Sequence, residues 1–207
     1  MKYFDTFPKV ITTDYKNNSI LMTNIMERVE IIPSLLSNPL LFYSYDIQES
    51  DTPEIIADKY YGDPYRYWMV LLANQIIDPQ WQWPLTSQQF NLYLNDKYST
   101  AAGNTSVLSY TQGTIYQYNK TITTTDSVTS NTTSVTIVVD LPTYTLTQTG
   151  TTTQTFSDGS SIIETITKTP VSIYNYEVSL NEAKRTINLI NKSYASEFEK
   201  QLASLLK

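Results

Sequence analysis

The sequence has no cysteine and no histidine. Without cysteine there is no disulfide, no thiolate nucleophile and no Cys-based zinc site, and the compartment stays open because such a chain folds in either redox setting. Lacking both residues, it cannot assemble a Ser-His-Asp or Cys-His arrangement. Five glycines leave no room for a phosphate loop or a Gly-rich dinucleotide fingerprint. Positive charge is also scarce: 14 Lys and Arg stand against 20 Asp and Glu, for a net charge of −6. The lysines are scattered, with a mild clustering in the last quarter. No basic stripe is present to neutralise phosphates, so nucleic acid and anionic membranes are poor partners. No apolar run approaches bilayer length. The opening Met1-Lys2-Tyr3-Phe4-Asp5 lacks the basic start and apolar stretch of a signal peptide.

What the chain does have is aromatic surface. Its 207 residues, enough for one ordinary domain or two small ones, are 41% hydrophobic and only 16% charged, with 17 tyrosines and three tryptophans. Tyr and Trp join a large apolar body to a polar tip and are enriched at protein contacts, although filling cores is an equally ordinary use for them.

Three composition regimes follow one another. Up to about residue 98 the chain is rich in Leu, Ile, Tyr and Pro; from 99 to 172 Thr and Ser dominate; from 173 mixed, charged sequence returns. Asn24 with Glu27 reads as a capping box opening a short helix, and Pro33 and Pro39 break the chain into short pieces. Leu41 to Ile47 is β-prone and continuous enough for a buried strand. Thr52-Pro53-Glu54 is a strong helix start, with Asp51 or Thr52 as cap, and Gly62 ends that helix. Asp63-Pro64 opens a second helix whose stripe is Tyr65, Trp68, Met69 and Leu72, ending at Asn74. A third helix begins at the capping box Thr86-Ser87-Gln88-Gln89, carries Phe90, Tyr93 and Leu94 on one face, and ends near Tyr98.

In the Thr-rich stretch, 114–118, 135–139, 144–149 and 162–169 are strand candidates, and Asp158-Gly159 is a type I′ hairpin signal. Two readings stand for this tract: a thin, ordered β-hairpin excursion, favoured by the alternation with Ile, Val and Tyr, or a disordered low-complexity segment. Residues 171–174 and 185–190 read as strands. Ser193 then caps a terminal helix with Tyr194, Phe198, Leu202 and Leu205 on one face. The fold class expected is α+β. It divides into an N-terminal extension or arm over 1–44, a strand-helix-helix module with its following helix over 45–98, the Thr/Ser-rich β insertion over 99–172, and a C-terminal strand and helix over 173–207.

Two carboxylates could in principle hydrolyse a glycoside. The candidates are Asp51, Glu54 and Asp58. Asp51 has a capping role, and Glu54 and Asp58 sit on what reads as a solvated helix face, so the structural reading is the stronger. No catalytic residue, cofactor or metal ligand is assigned. Trp68 is expected in the core. Tyr65, Trp81 and Trp83 are the partner-contact candidates, because the two tryptophans sit in a turn where one small module has difficulty burying them.

Tyr45-Asp46-Ile47, Ser50-Asp51-Thr52, Ile56-Ala57-Asp58-Lys59-Tyr60 and Leu72 to Pro79 resemble a LysM module, a family that often binds the N-acetylglucosamine chains of peptidoglycan or chitin. Ser50 stands where that family has Gly, and Trp81-Gln82-Trp83-Pro84-Leu85 replaces its Pro-Gly-Gln, so the loops flanking the sugar groove are altered. A wider resemblance rests on Pro53 to Ala57, Tyr61-Gly62-Asp63-Pro64, Tyr67 to Leu72, Asn74, Asp78-Pro79, Trp83 and Thr86-Ser87-Gln88. It continues in Asn181 to Arg185, Ile187, Ile190, Lys192-Ser193 and Phe198. Over roughly 1–98 and 176–207 the chain is similar to the LysM-like baseplate wedge proteins of T4-like contractile-tailed phages, the protein-fifty-three family; the Thr-rich middle reads as a lineage-specific insertion.

That resemblance implies a non-enzymatic virion protein of the tail baseplate, assembled in the host cytoplasm. It would clamp wedge subunits and tie neighbouring wedges into a ring, with six copies per baseplate. Its partners would be other wedge proteins, without nucleic acid, membrane or small-molecule substrate. Carbohydrate binding by a LysM module is the alternative.

Overall fold

The computed structural model describes residues 3–206; Met1, Lys2 and Lys207 lie outside them. In chain order the elements are β1 (Lys9–Thr13), β2 (Ser19–Thr23), α1 (Pro33–Leu36), β3 (Phe42–Asp46), α2 (Pro53–Tyr61), α3 (Tyr67–Ala73), α4 (Pro79–Gln82), α5 (Ser87–Ala102) and α6 (Val107–Gly113). Then follow β4 (Ile115–Asp126), β5 (Thr132–Val139), α7 (Leu141–Leu146), β6 (Gly150–Thr155), β7 (Ser161–Ser172), α8 (Ile173–Glu182), β8 (Thr186–Ile190) and α9 (Ala195–Leu205). The fold is α+β. The chain divides into two compact units: one runs up to Ser87 and resumes at Asn181, and the other spans Gln88–Leu180.

The first unit is built on two antiparallel strands far apart in sequence, β3 and β8, in register from Phe42↔Ile190 to Asp46↔Thr186. Helices α2 and α3 bury Ile56, Ala57, Trp68, Met69, Val70 and Ala73 in one core with Ile187, Leu189 and Ile190. Helix α9 adds Ala195 and Leu202 to it, and Leu206 follows. Each large apolar side chain so buried contributes roughly 1.5–3 kcal/mol. Local chemistry sets the helix ends. Thr52 Oγ1 accepts from Ile55 N–H, Pro53 occupies the first turn, and Gly62, at φ 73°, closes α2 with its N–H on the Asp58 carbonyl. Only a residue tolerant of left-handed backbone suits that last position. The Arg66 guanidinium reaches from the turn before α3 to Glu199 of α9 through two hydrogen bonds of 2.9 and 3.0 Å.

Asn74 closes α3 in a way that propensity does not reveal. Its Nδ2 donates to the Val70 and Asn188 carbonyls, both at 2.8 Å. Its Oδ1 accepts from Asn188 N–H, also at 2.8 Å. The side-chain amide thus pairs with the side of β8 turned away from β3, satisfying backbone groups that a two-stranded sheet leaves open.

Several expectations are corrected in this unit. No helix follows Asn24: its Oδ1 accepts from Met26 N–H and its amide donates to Glu27, a local turn that competes with helix formation. The terminal helix starts at Ala195, after a 3-10 turn in which Asn191 rather than Ser193 accepts the capping bond. Its buried positions include Ala195 and Leu202, followed by Leu206, whereas Leu205 and Tyr194 are exposed.

In the second unit the Thr-rich stretch forms a four-stranded antiparallel sheet of order β5-β4-β7-β6, more than the single hairpin excursion expected. Strand β5 pairs with β4, the chain crosses to the far edge through α7, and β6 returns along β7. One face carries a hydroxyl ladder, with Thr121–Thr136, Thr123–Ser134, Thr125–Thr132 and Thr151–Thr165 hydrogen-bonded at 2.9–3.2 Å. The other face carries Ile122 beside Val135 and Ile166. Thr buries little apolar area, so cross-strand pairs hold this sheet together.

Residues 144–149 are not a strand. Asp140 accepts from Thr143 N–H and Pro142 lies in the first turn, so α7 forms there instead. Lys168 Nζ then donates to the Tyr144 and Thr147 carbonyls at the C-terminal end of α7, where a cation is favoured. At Asp158-Gly159 only the glycine has positive φ. Gly159 N–H bonds the Phe156 carbonyl, which makes a longer loop than the expected two-residue type I′ turn. Ile173 and Tyr174 open α8 rather than ending a strand.

Candidate functional site

Two buried carboxylates are the strongest electrostatic features, one in each unit. Asp51, 6% exposed, accepts from Lys59 Nζ at 2.6 Å, Tyr45 Oη at 2.7 Å and Gln48 N–H at 3.2 Å. Its backbone carbonyl accepts from Trp83 Nε1 at 2.9 Å. Burial alone would raise the Asp51 pKa, but these donors outweigh it and hold the carboxyl below its ordinary value. Burial, and then the hydrogen bond to Asp51, push the Tyr45 hydroxyl up to about 12. The expected helix cap is therefore Thr52, and Asp51 instead ties the strand, the helix and the Trp83 turn together.

Glu177, 3% exposed, accepts from Tyr93 Oη at 2.9 Å, Lys97 Nζ at 2.8 Å and Tyr98 Oη at 2.5 Å. Burial again works to raise its pKa, and the three donors win, leaving it lowered. Tyr98 is pushed up to about 12 by burial and by Glu177. Helix α5 supplies all three donors: Tyr93 and Lys97, four apart, share a face, and Tyr98 reaches the same carboxylate from the adjoining position. The knot was not legible in advance, since nothing local pairs Glu177 with a helix eighty residues earlier.

Neither knot has the makings of a general acid. Each carboxylate is held charged and saturated by its own donors, whereas acid catalysis at neutral pH needs a raised carboxyl pKa. Glu54 and Asp58 are exposed on α2. An open cleft is lined by Asp46, Glu49, Glu182 and Arg185 among others. There Arg185 Nε bonds Glu182 at 2.5 Å and Thr186 Oγ1 bonds Asp46 at 2.7 Å. Among the described residues no group of acidic side chains is placed to hold a metal ion, and no helix is long and apolar enough to cross a membrane.

The surface offers a different kind of chemistry. The β1–β2 hairpin is in register from Lys9↔Thr23 to Thr13↔Ser19. Ile11 and Leu21 face one side, 76% and 67% exposed, and Val10, Met22 and Ile20 face the other, also exposed. Ile25 and Met26 just beyond it are exposed too. A two-stranded ribbon apolar on both faces is marginal on its own, and exposed apolar patches of this kind mark interaction sites. The sequence signal was present: two β-prone runs flank Asp14 to Asn18, and Asn17 takes positive φ in the turn.

The three contact candidates separate. Trp81 is 65% exposed and Tyr65 53% exposed. Trp83 is half-buried against the core of the first unit and donates to the Asp51 carbonyl. Trp68, expected in the core, is there.

A family model described as base plate wedge protein 53 matches residues 1–205. The baseplate wedge protein gp53 of Enterobacteria phage T4 is 32% identical over 88 residues, which cover 42% of this chain and 44% of that protein. The chain thus matches less than half the length of that curated relative.

Proposed function

Because the chain belongs to the base plate wedge protein 53 family, we propose that it is a structural subunit of a contractile phage tail baseplate, clamping wedge proteins and linking neighbouring wedges during assembly. The family match along nearly the whole chain carries this reading. The physical picture agrees with it. The buried carboxylates are spent on internal ties, and apolar surface is exposed on the hairpin, at Tyr65 and at Trp81. The partners are other wedge proteins, six copies per baseplate serve the ring, and assembly takes place in the host cytoplasm before the chain enters the tail.

The strand-helix-helix order from β3 to α3, with β8 as the closing strand, supports the LysM resemblance. Saccharide binding finds less support, because Asp51 and its carbonyl are already engaged by Lys59, Tyr45 and Trp83.

Reconstitution of wedges from purified subunits tests the proposal. Ile11→Thr with Leu21→Thr, which keeps both positions β-prone, and separately Trp81→Ala with Tyr65→Ala, are expected to leave the chain folded and abolish its incorporation. Normal incorporation of both double variants would remove those surfaces from the account. Saturable binding to peptidoglycan with unimpaired wedge assembly would favour the saccharide reading of the LysM-like part.

A further inference from the structure

The Thr-rich sheet has one bare edge built to accept another strand. Strand β5 reads Thr-Thr-Ser-Val-Thr-Ile-Val-Val, with no charge and no proline. Natural edge strands protect themselves with lysine, proline, a bulge or a short length, and β5 has none of these. It runs for eight residues, and its pairing with β4 is unbroken from Thr132 to Val139. Every residue from Thr132 to Val138 is exposed, with Val135 at 57%, Ile137 at 46% and Val138 at 60%. The opposite edge differs: β6 has six residues, opens with a glycine and carries no aliphatic side chain.

We propose that β5 is a self-association edge, pairing antiparallel with β5 of a second copy of this chain. The strand it would accept must be extended, uncharged and β-branched, and β5 itself meets that description. A two-fold axis normal to the sheet reverses strand direction and keeps each face on its own side, as antiparallel pairing requires. With the axis at Thr136, Val135 meets Ile137 of the second copy twice on the apolar face. On the hydroxyl face Thr136 meets its own equivalent, extending the ladder that Thr136 already forms with Thr121. The pairing joins two four-stranded sheets into one of eight strands and closes on itself, so it yields a dimer and no filament. Two chains of net charge −6 repel overall, and the uncharged edge is where backbones approach without that repulsion being concentrated. This inference does not depend on the baseplate reading.

The absence of native cysteine makes the test direct. The purified full-length chain is examined by sedimentation across the micromolar to millimolar range, and single-cysteine variants are oxidised mildly. A concentration-dependent dimer is expected, with a disulfide-linked dimer from Thr136→Cys and none from Thr153→Cys on the β6 edge. Val135→Lys with Ile137→Lys places like charges across the junction and is expected to weaken the dimer by more than roughly tenfold. Both positions also pair with β4 in the same chain, Ile137 opposite Lys120 and Val135 opposite Ile122, so the urea midpoint should fall, and the double variant is compared with the parent at a temperature where their far-ultraviolet spectra agree. Sedimentation as a monomer at every concentration overturns the proposal. So does a dimer indifferent to the lysine pair, or cross-linking that appears only when Thr136→Cys is combined with Thr153→Cys, which would mean head-to-tail association.

Discussion

Replacing Asn74 by aspartate tests how the first unit is closed. The two side chains have nearly the same size, so packing is held constant while donors become acceptors. In the native chain the Asn74 amide gives two hydrogen bonds, to the Val70 and Asn188 carbonyls, and receives one from Asn188 N–H, each at 2.8 Å. Asn74→Ala deletes all three, but Asn188 is solvent-facing and water can replace part of what is lost. At about 1 kcal/mol per bond, discounted for that water, the cost is about 1–3 kcal/mol. Asn74→Asp keeps the acceptor and converts two donor contacts into a carboxylate oxygen facing two carbonyls. The lost bonds and the repulsion together cost about 2–4 kcal/mol near neutral pH, so the near-isosteric change is the more damaging one. The introduced carboxyl is disfavoured in its charged form, which raises its folded pKa above the unfolded value near 3.9. The deficit relative to the parent is therefore smallest below about pH 4 and grows as pH rises through the raised folded pKa. Urea unfolding of parent and both variants, compared at each pH from 4 to 8, reads this out. An Asn74→Asp protein as stable as the parent at pH 7, or a deficit flat across that range, would refute the reasoning.

Four further outcomes are expected. Glu177→Gln keeps the shape of the knot but removes the charge that three donors share, and it should cost about 1–3 kcal/mol by urea unfolding. Stability of the parent should fall at both pH extremes. The lowered carboxyls of Asp51 and Glu177 stabilise above their unfolded pKa and lose that contribution as pH drops through the folded values. Tyr45 and Tyr98, at about 12, stabilise below the ordinary tyrosine value of about 10 and lose it as pH climbs towards the folded one; tyrosinate absorbance should show a late-titrating fraction that includes them and Tyr61, whose hydroxyl burial also pushes up. Leu189→Ala, at a position with no exposed surface, should cost about 2–5 kcal/mol in the same assay. Gly62→Ala meets no neighbouring atom within 4 Å yet sits at φ 73°, so thermal unfolding should report a loss of about 1–2 kcal/mol from backbone strain alone.

Where chemistry was local, the sequence was readable. Thr52, Pro53 and Gly62 bound α2 as their cap, first-turn and left-handed preferences require; of the stripe Tyr65, Trp68, Met69 and Leu72, the middle two turned inward and Leu72 is half-buried, whereas Tyr65 is exposed in the turn before α3. Strand propensity identified 114–118, 135–139 and 162–169 as extended, with Thr114 falling just outside β4. It failed at 144–149, where one capping aspartate and one proline outweighed the β-branched run. Long-range pairing was the part that no window of sequence contains. Nothing near Asn74 announces Asn188, nothing near Glu177 announces Lys97, and Asp51 looked like a helix cap because its lysine partner lies two turns on and its tryptophan donor lies thirty-two residues away. The contact candidates show the same divide. Trp81 stays on the surface, while Trp83, two residues further on, is drawn inward by a carbonyl that local sequence could not nominate.

The separation between β3 and β8 has a consequence for biosynthesis. Asp46 and Thr186 lie 140 residues apart, and the second unit, Gln88–Leu180, is encoded entirely between them. On the ribosome, β3 with its two covering helices emerges early and must wait, lacking its mate and the floor of its core, while the whole Thr-rich sheet is translated. The later-made unit has all its strands in hand first. The β3–β8 sheet of the first unit therefore pairs only after residues 186–190 have left the exit tunnel, when every strand of the second unit has already emerged.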